Sequence, residues 1–308
     1  MDLMPNPFTN RGVITNPDDF FGREDQINEI LTRLRSMQSS SIVGERRIGK
    51  SSLLYHLMQT GARRLDDPSY RFLFLNLQEG QFHTVTGFLK AVLKELAVDA
   101  EAIKPGDSLG DRLTAFTDQV RALEQSGQRV VLCLNDFETT IKRREEYAEA
   151  FFDHMRAQLE MQRLAFVTTS QKNLQALSLE GRLASPFYNL FSLIELRAFT
   201  ETEAGKFVEK YHQQIGFTDD ERNLILSSLE SIGFHPLKLR ILCDWVMKNR
   251  ELGLSDWALA EEIAKEYSNF FVGRFHWKQW RRAKRKITLE NIKKLIETFS
   301  PFIPKSDK

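Results

Sequence analysis

A parallel β-sheet with helices on both faces, followed by an all-helical unit, is what this sequence predicts, and three observations predict it. Short apolar runs alternate with segments of helical spacing as far as residue 198, which is the pattern of an α/β sheet. Between the first run and the next helix stands Gly44-Glu45-Arg46-Arg47-Ile48-Gly49-Lys50-Ser51, which spells G-x-x-x-x-G-K-[ST]. From Thr200 onward strand signals stop and only helical spacing continues.

The elements follow in order. Residues 1–19 carry Pro5, Pro17 and several Asn and read as extended. Phe20-Phe21-Gly22-Arg23-Glu24 is a turn before a helix with Ile27, Ile30, Leu31 and Leu34 on one face; by composition it is a helix cap with two core phenylalanines. Ser41-Ile42-Val43 ends the first strand, and a helix runs from Lys50 to about Gly61. Residues 70–77 form a second strand, apolar enough to be buried on both faces. Thr84 opens a helix carrying Phe88, Leu89, Val92 and Leu93, and another helix spans 109–125. The apolar run 129–134 ends in Asn135-Asp136-Phe137-Glu138, and a helix over 143–160 leads to a fourth strand, 164–170. Residues 191–196 close the sheet. Thr200-Glu201-Thr202-Glu203 has capping-box spacing and opens helices over 202–213, 219–231, 236–249 and 256–271. Pro236 opens one of these as an ordinary first-turn proline. The expected division is an α/β domain over 1–198, a helical lid over 199–271 and a basic arm over 272–308.

The glycine-rich turn points to chemistry through its residue types. Gly44 and Gly49 allow the backbone to fold tightly, so that successive N–H groups aim at an anion. The helix starting near Lys50 adds its positive dipole end. Lys50 reaches the β- and γ-phosphates of a nucleoside triphosphate, and Ser51 offers a hydroxyl to Mg²⁺. The nucleotide-binding set is therefore Gly44, Glu45, Arg46, Arg47, Ile48, Gly49, Lys50, Ser51 and Ser52. Arg46 and Arg47 have three open roles: facing the phosphates, facing a neighbouring subunit, or standing in solvent.

Ligands of such sheets lie at the carboxyl ends of the strands. The third strand should there present an aspartate that supports Mg²⁺, often followed by a carboxylate that activates water. That aspartate position holds Asn135, with Asp136 next and Glu138 two further on. An amide lacks the negative charge that a hard cation prefers. Three readings stay open. Either Asp136 takes the metal role and Glu138 that of the base, making Lys50, Asp136 and Glu138 the catalytic set, or hydrolysis is slow and the protein works mainly by binding, or Asp136 is a simple loop acid. Thr169 or Ser170, ending the fourth strand, either senses the γ-phosphate or simply turns the chain.

Composition removes other classes. A hydrophobic content of 42% and a charged content of 28% over 308 residues suit a soluble chain of about two domains. Neither an apolar run of membrane-spanning length nor a secretory leader is seen, so a cytoplasmic protein without a membrane partner is expected. Cys133 and Cys243 stand in apolar surroundings, as reduced buried thiols do. The histidines (56, 83, 154, 212, 235 and 276) show no metal-ligand spacing, and no nucleophile motif accompanies them. Residues 272–286 hold seven cations and no acid; taking them from the net charge of +1 leaves −6 for the rest. For Arg274, Lys278, Arg281, Arg282, Lys284 and Arg285, with Trp277 and Trp280 among them, three readings compete: a solvated or fraying helix end, contact with a nucleic-acid backbone, and docking on an acidic partner or subunit.

Several segments together resemble the AAA-like branch of the STAND signal-transduction ATPases. They are Asn6-Pro7-Phe8 through Phe20-Phe21-Gly22-Arg23-Glu24, the run Val43 to Leu54, Ser185-Pro186-Phe187-Tyr188-Asn189, and Gly233-Phe234-His235-Pro236. The resemblance covers about residues 6–250. It implies a P-loop NTPase of AAA+-like type that holds ADP in a closed form and opens on ATP to form a homo-oligomer. It also implies that Phe21, Gly22 and Arg23 border the adenine, that Pro236 packs on it, and that His235 approaches the phosphates. Members usually read Leu-Asp-Glu-Phe-Glu at the third strand, whereas this chain has Leu134-Asn135-Asp136-Phe137-Glu138. Turnover rather than binding is what that departure affects. Family proteins usually carry a sensor array or effector domain, so a separate sensor or effector protein is the expected partner. The expected protein is an ATPase with ATP/ADP and Mg²⁺ as cofactors. Two rivals are a DNA-associated AAA+ regulator gripping duplex DNA through the basic arm, and a non-hydrolysing nucleotide-binding scaffold.

Overall fold

The computed structural model describes residues 6–104 and 106–252. The expected helix over 256–271 and the cations Arg274, Lys278, Arg281, Arg282, Lys284 and Arg285 lie outside the described residues. Those that are described divide into two compact units: residues 13–197, and residues 6–12 together with 198–252.

Five strands build the first unit: β1 (Ser39–Gly44), β2 (Tyr70–Asn76), β3 (Arg129–Asn135), β4 (Leu164–Ser170) and β5 (Phe191–Leu196). Their order is β2-β3-β4-β1-β5, and every pairing is parallel. Parallel strands need crossovers, and these place helices on both faces. The parity of β3 shows it: Val130, Leu132 and Leu134 join one buried cluster, while Val131 and Cys133 join the other. The first cluster takes its helical residues from α3 (Val85–Glu95), α4 (Leu109–Gln125), α5 (Glu138–Lys142), α6 (Glu149–Glu160) and α7 (Leu174–Glu180). The second takes them from α1 (Glu24–Leu34) and α2 (Lys50–Leu65). Cys133 is buried and unpaired, and burial pushes its thiol pKa up.

Local chemistry explains where the helices begin and end. Thr84 and Ser108 cap α3 and α4 by accepting the Gly87 and Asp111 N–H groups. α2 continues past Gly61 to Leu65 and ends at Asp66, which turns left-handed at φ 54°. Gly61 is there for packing: a Cβ would stand 2.5 Å from the Phe72 ring. The helix expected over 143–160 begins only at Glu149, as α6, and a short unforeseen helix, α5 (Glu138–Lys142), precedes it. Between them Tyr147 turns into the core, where its hydroxyl donates to the Phe82 carbonyl at 2.7 Å. α7 was not foreseen, although Asn173 caps it by accepting the Ala176 N–H at 2.7 Å.

The second unit holds α8 (Glu201–Ile215), α9 (Asp219–Ile232) and α10 (Pro236–Leu252). Capping boxes start both α8, through Thr200 and Glu203, and α9, through Thr218 and Glu221. Residues 6–12, read from sequence as a lead to the α/β domain, group with this helical unit. Phe8 is fully buried, 4.6 Å from Tyr211 between ring centroids. Asp244, 2% exposed, accepts from Asn6 Nδ2 at 2.8 Å and pairs with Arg11 and Lys248. Cys243 is likewise buried and free. Among the described residues, no helix is long and apolar enough to cross a membrane.

Candidate nucleotide site

β1 ends in Gly44 and α2 begins at Lys50, so the glycine-rich turn lies at the carboxyl end of β1. Backbone geometry explains its glycines. Gly44 has φ 156°, and a Cβ there would lie 2.5 Å from the Leu196 carbonyl oxygen. Gly49 has φ 105° and caps α2. Arg47 is also left-handed, at φ 64°, and stands exposed beside the exposed Glu45 and Arg46. Slight desolvation of its inner part and the neighbouring Arg46 charge hold its pKa below the usual value. Ile48 is buried and anchors the loop in the α1/α2 core.

Lys50 is 7% exposed, and its ammonium donates to the Gly44 and Glu45 carbonyls at 2.7 and 2.8 Å. Burial lowers its pKa, against the pull of Glu138 and Asp136. Ser51 is half-buried in the first turn of α2. The neighbouring Ser52 Oγ accepts the Ile14 N–H at 3.0 Å, so the segment after residue 12 runs against the start of α2. Further along that segment, Phe20 stacks on His56 with centroids 4.3 Å apart. Gly22 and Arg23 are both left-handed, at φ 72° and 67°. The Arg23 guanidinium donates to the Arg197 carbonyl at 2.7 Å and to the Ile48 carbonyl at 3.4 Å. The Phe21-Gly22-Arg23 turn is thereby tied to the loop's own backbone.

Across the strand ends lies a polar corner. Asp136, just past β3, is left-handed at φ 57°, and Glu138 opens α5 with 5% exposure. Glu138 Oε2 is buried with no hydrogen-bond partner. Burial raises the pKa of both acids; Lys50 draws that of Asp136 back down, while Asp136 pushes that of Glu138 up further. Thr169, fully buried, gives its hydroxyl to Asn135 Oδ1 at 2.9 Å and accepts the Asp136 N–H at 2.9 Å. Ser170 instead bonds the Lys172 carbonyl and turns the chain. Asn76 at the end of β2 receives Asn135 Nδ2 at 3.3 Å. Sequence reading gave Asn76 no role; a polar last residue in the strand beside β3 was the available signal.

This donor set fits Mg²⁺ in company with phosphates. Lys50, half-buried Asp136 and buried Glu138 are near enough for their charges to act on one another, and Glu138 Oε2 is unanswered. A hydroxyl and a carboxylate are the hard oxygen donors that this ion takes, with the remaining ligands from water and phosphate. Among the described residues, no group of three His, Cys, Asp or Glu could hold a metal. His235 and Pro236 belong to the helical unit, where His235 Nδ1 accepts the Leu237 N–H at 3.2 Å at the start of α10.

The all-parallel sheet, the loop after β1 and the acids after β3 define the class: a P-loop NTPase of AAA+/STAND type. The sequence profile of the family described as Novel STAND NTPase 1 matches residues 14–246, and the chain belongs to that family. No curated protein matches the sequence. Among solved structures, the fold is similar to the walker-type ATPase paby2304 of Pyrococcus abyssi, at 15% identity and TM-score 0.59, covering 95% of this chain and 92% of that one. It is also similar to the ORC2 protein of Aeropyrum pernix in ADPNP–ADP complexes, at 14% identity and TM-score 0.57, covering 95% and 71%. The ORC1 protein of the same organism, solved in complex with DNA, gives 12% identity and TM-score 0.57, covering 96% and 86%.

Proposed function

We propose that this protein is an ATP-gated molecular switch that hydrolyses ATP slowly, associates with further copies of itself in the ATP state, and acts through a separate partner protein. The observation that carries the reading is the glycine-rich loop between β1 and α2 with Lys50 buried against it and Asp136 and Glu138 near enough for their charges to act on its ammonium. The loop amides and Lys50 hold the phosphates, and Phe21, Gly22 and Arg23 border the base. Ser51 and Asp136 hold Mg²⁺, which supplies charge neutralisation at the phosphates. Glu138, kept from ionising easily by burial, takes the proton of the attacking water. Family membership supports nucleotide binding, as do the nucleotides in the ORC2 structure's description.

The test is size analysis of the protein with ADP, ATP and a slowly hydrolysed analogue, each with and without duplex DNA. ATP and the analogue should raise the assembly size and ADP should not. Equal sizes with all three would refute the switch, because a ligand with equal affinity for two states shifts neither. A second reading, a DNA-associated regulator, is favoured by the seven cations of residues 272–286 and by the DNA in the ORC1 structure's description. Growth that requires DNA, lost when Arg281, Arg282, Lys284 and Arg285 are neutralised, would select it.

A further inference from the structure

A neutral amide stands at the end of β3 where a carboxylate is usual, and its bonds show what it does there. Asn135 is 5% exposed and lies between the ends of β2 and β4. Its Nδ2 donates to Asp136 Oδ2 at 3.0 Å and to Asn76 Oδ1 at 3.3 Å. Its Oδ1 accepts the Thr169 hydroxyl at 2.9 Å, and that hydroxyl's oxygen accepts the Asp136 N–H at 2.9 Å. The Phe137 N–H closes the set on the Thr169 carbonyl at 2.9 Å. Asp136 sits at φ 57°, in the left-handed region that aspartate tolerates better than most L-residues. Two bonds hold it there, one from its main-chain N–H to Thr169 and one to its carboxylate from Asn135.

On the strength of the nucleotide reading above, we propose that Asn135 and Thr169 are positioning residues that fix the Asp136 carboxylate as an oxygen ligand of the nucleotide's divalent cation. Asn135 is then a clamp, and the cation's acid has moved one residue along the chain. The donor inventory sets the direction of the test. A carboxylate at 135 has no N–H for Asp136 Oδ2 or for Asn76 Oδ1, and it would set two acids side by side. Asn135→Asp, which restores the residue usual at this place, therefore weakens the cation's contribution instead of strengthening it. Thr169→Val removes the hydroxyl that holds both Asn135 and the Asp136 N–H, whereas Thr169→Ser keeps it.

The experiment is calorimetric titration of ADP and ATP in Mg²⁺ and in EDTA, on the wild type and these three variants, with each variant's ligand-free melting temperature recorded. Mg²⁺ should tighten nucleotide binding to the wild type and to Thr169→Ser. In Asn135→Asp and Thr169→Val that tightening should fall by about tenfold, the usual effect of losing a group that orients a metal ligand. Affinity in EDTA should stay within about twofold, which a general structural defect would not spare. Tighter Mg²⁺-dependent binding by Asn135→Asp, or wild-type behaviour of Thr169→Val, would overturn the clamp. Should Asn135→Asp not fold, the Thr169 pair decides. A wild type that binds nucleotide neither with Mg²⁺ nor in EDTA would remove the nucleotide reading itself, whereas a Mg²⁺-sensitive wild type with unaffected variants would remove the clamp alone.

Discussion

Replacing Glu138 by Gln should stabilise the ligand-free protein while removing its turnover. The side chain is 5% exposed, one carboxyl oxygen is buried without a partner, and burial together with nearby Asp136 disfavours its ionised form. A buried unsatisfied polar group costs about 1–3 kcal/mol, more when charged, and an amide of the same shape removes the charge. A gain of about 1–2 kcal/mol follows, or a rise of about 2–8 °C in melting temperature for a unit of this size. The sign with pH is fixed as well. Because the folded-state pKa is raised, the charge penalty is absent below the unfolded carboxylate value, about 4.3, builds as pH rises from there to the folded value and is complete above it. The variant's advantage should therefore widen from acid toward pH 8. Thermal melts in EDTA across that range, with steady-state phosphate release in Mg²⁺ and ATP, are the assay. A variant melting below wild type at pH 8, or one that keeps its turnover, would refute the reasoning.

Three further outcomes are expected. Gly44→Ala should cost about 2 kcal/mol or more, since its Cβ would meet the Leu196 carbonyl at 2.5 Å, and should abolish nucleotide-induced melting shifts; denaturant melts and nucleotide titration check both. His154, whose pKa is lowered by burial and whose Nε2 meets Thr117 Oγ1 at 2.8 Å, contributes stability that is complete above its unfolded pKa, about 6.5, and is lost as pH falls through the folded value. His154→Gln should show a shallower acid loss in urea melts, and an unchanged loss would contradict this. Asp244→Ala should cost about 3 kcal/mol by removing the buried carboxylate shared by Arg11, Asn6 and Lys248, and should speed hydrogen exchange in residues 6–12; unchanged exchange there would count against that anchor.

What could be read in the sequence follows from how local each signal is. The inner strand β3 was legible because a strand covered on both faces needs an unbroken apolar run such as Val130 to Leu134, whereas β1, opening Ser39-Ser40-Ser41, was legible by its place before the glycine-rich turn. The loop was legible because its backbone shape demands glycine at 44 and 49, and a phosphate demands Lys50. Gly61 misled, since a glycine that accommodates the Phe72 ring looks the same in sequence as one that stops a helix. The break before α6 was hidden because it depends on Tyr147 reaching Phe82, a contact across 65 residues. The grouping of residues 6–12 with the helical unit rests on Asp244, over two hundred residues away. At the site, Asn135 looked like a lost acid until the ends of β2 and β4 placed Asn76 and Thr169 on either side of it.

The central claim is that this anion cradle binds a nucleoside triphosphate through Lys50. Calorimetric titration of ATP with Mg²⁺ into the wild type and into Lys50→Ala tests it most directly. The account predicts saturable heat for the wild type and little or none for the variant, with a stabilisation of about 2.7 kcal/mol at a hundredfold excess over Kd that the variant lacks. No heat from the wild type with any triphosphate, or equal heat from both proteins, would contradict it.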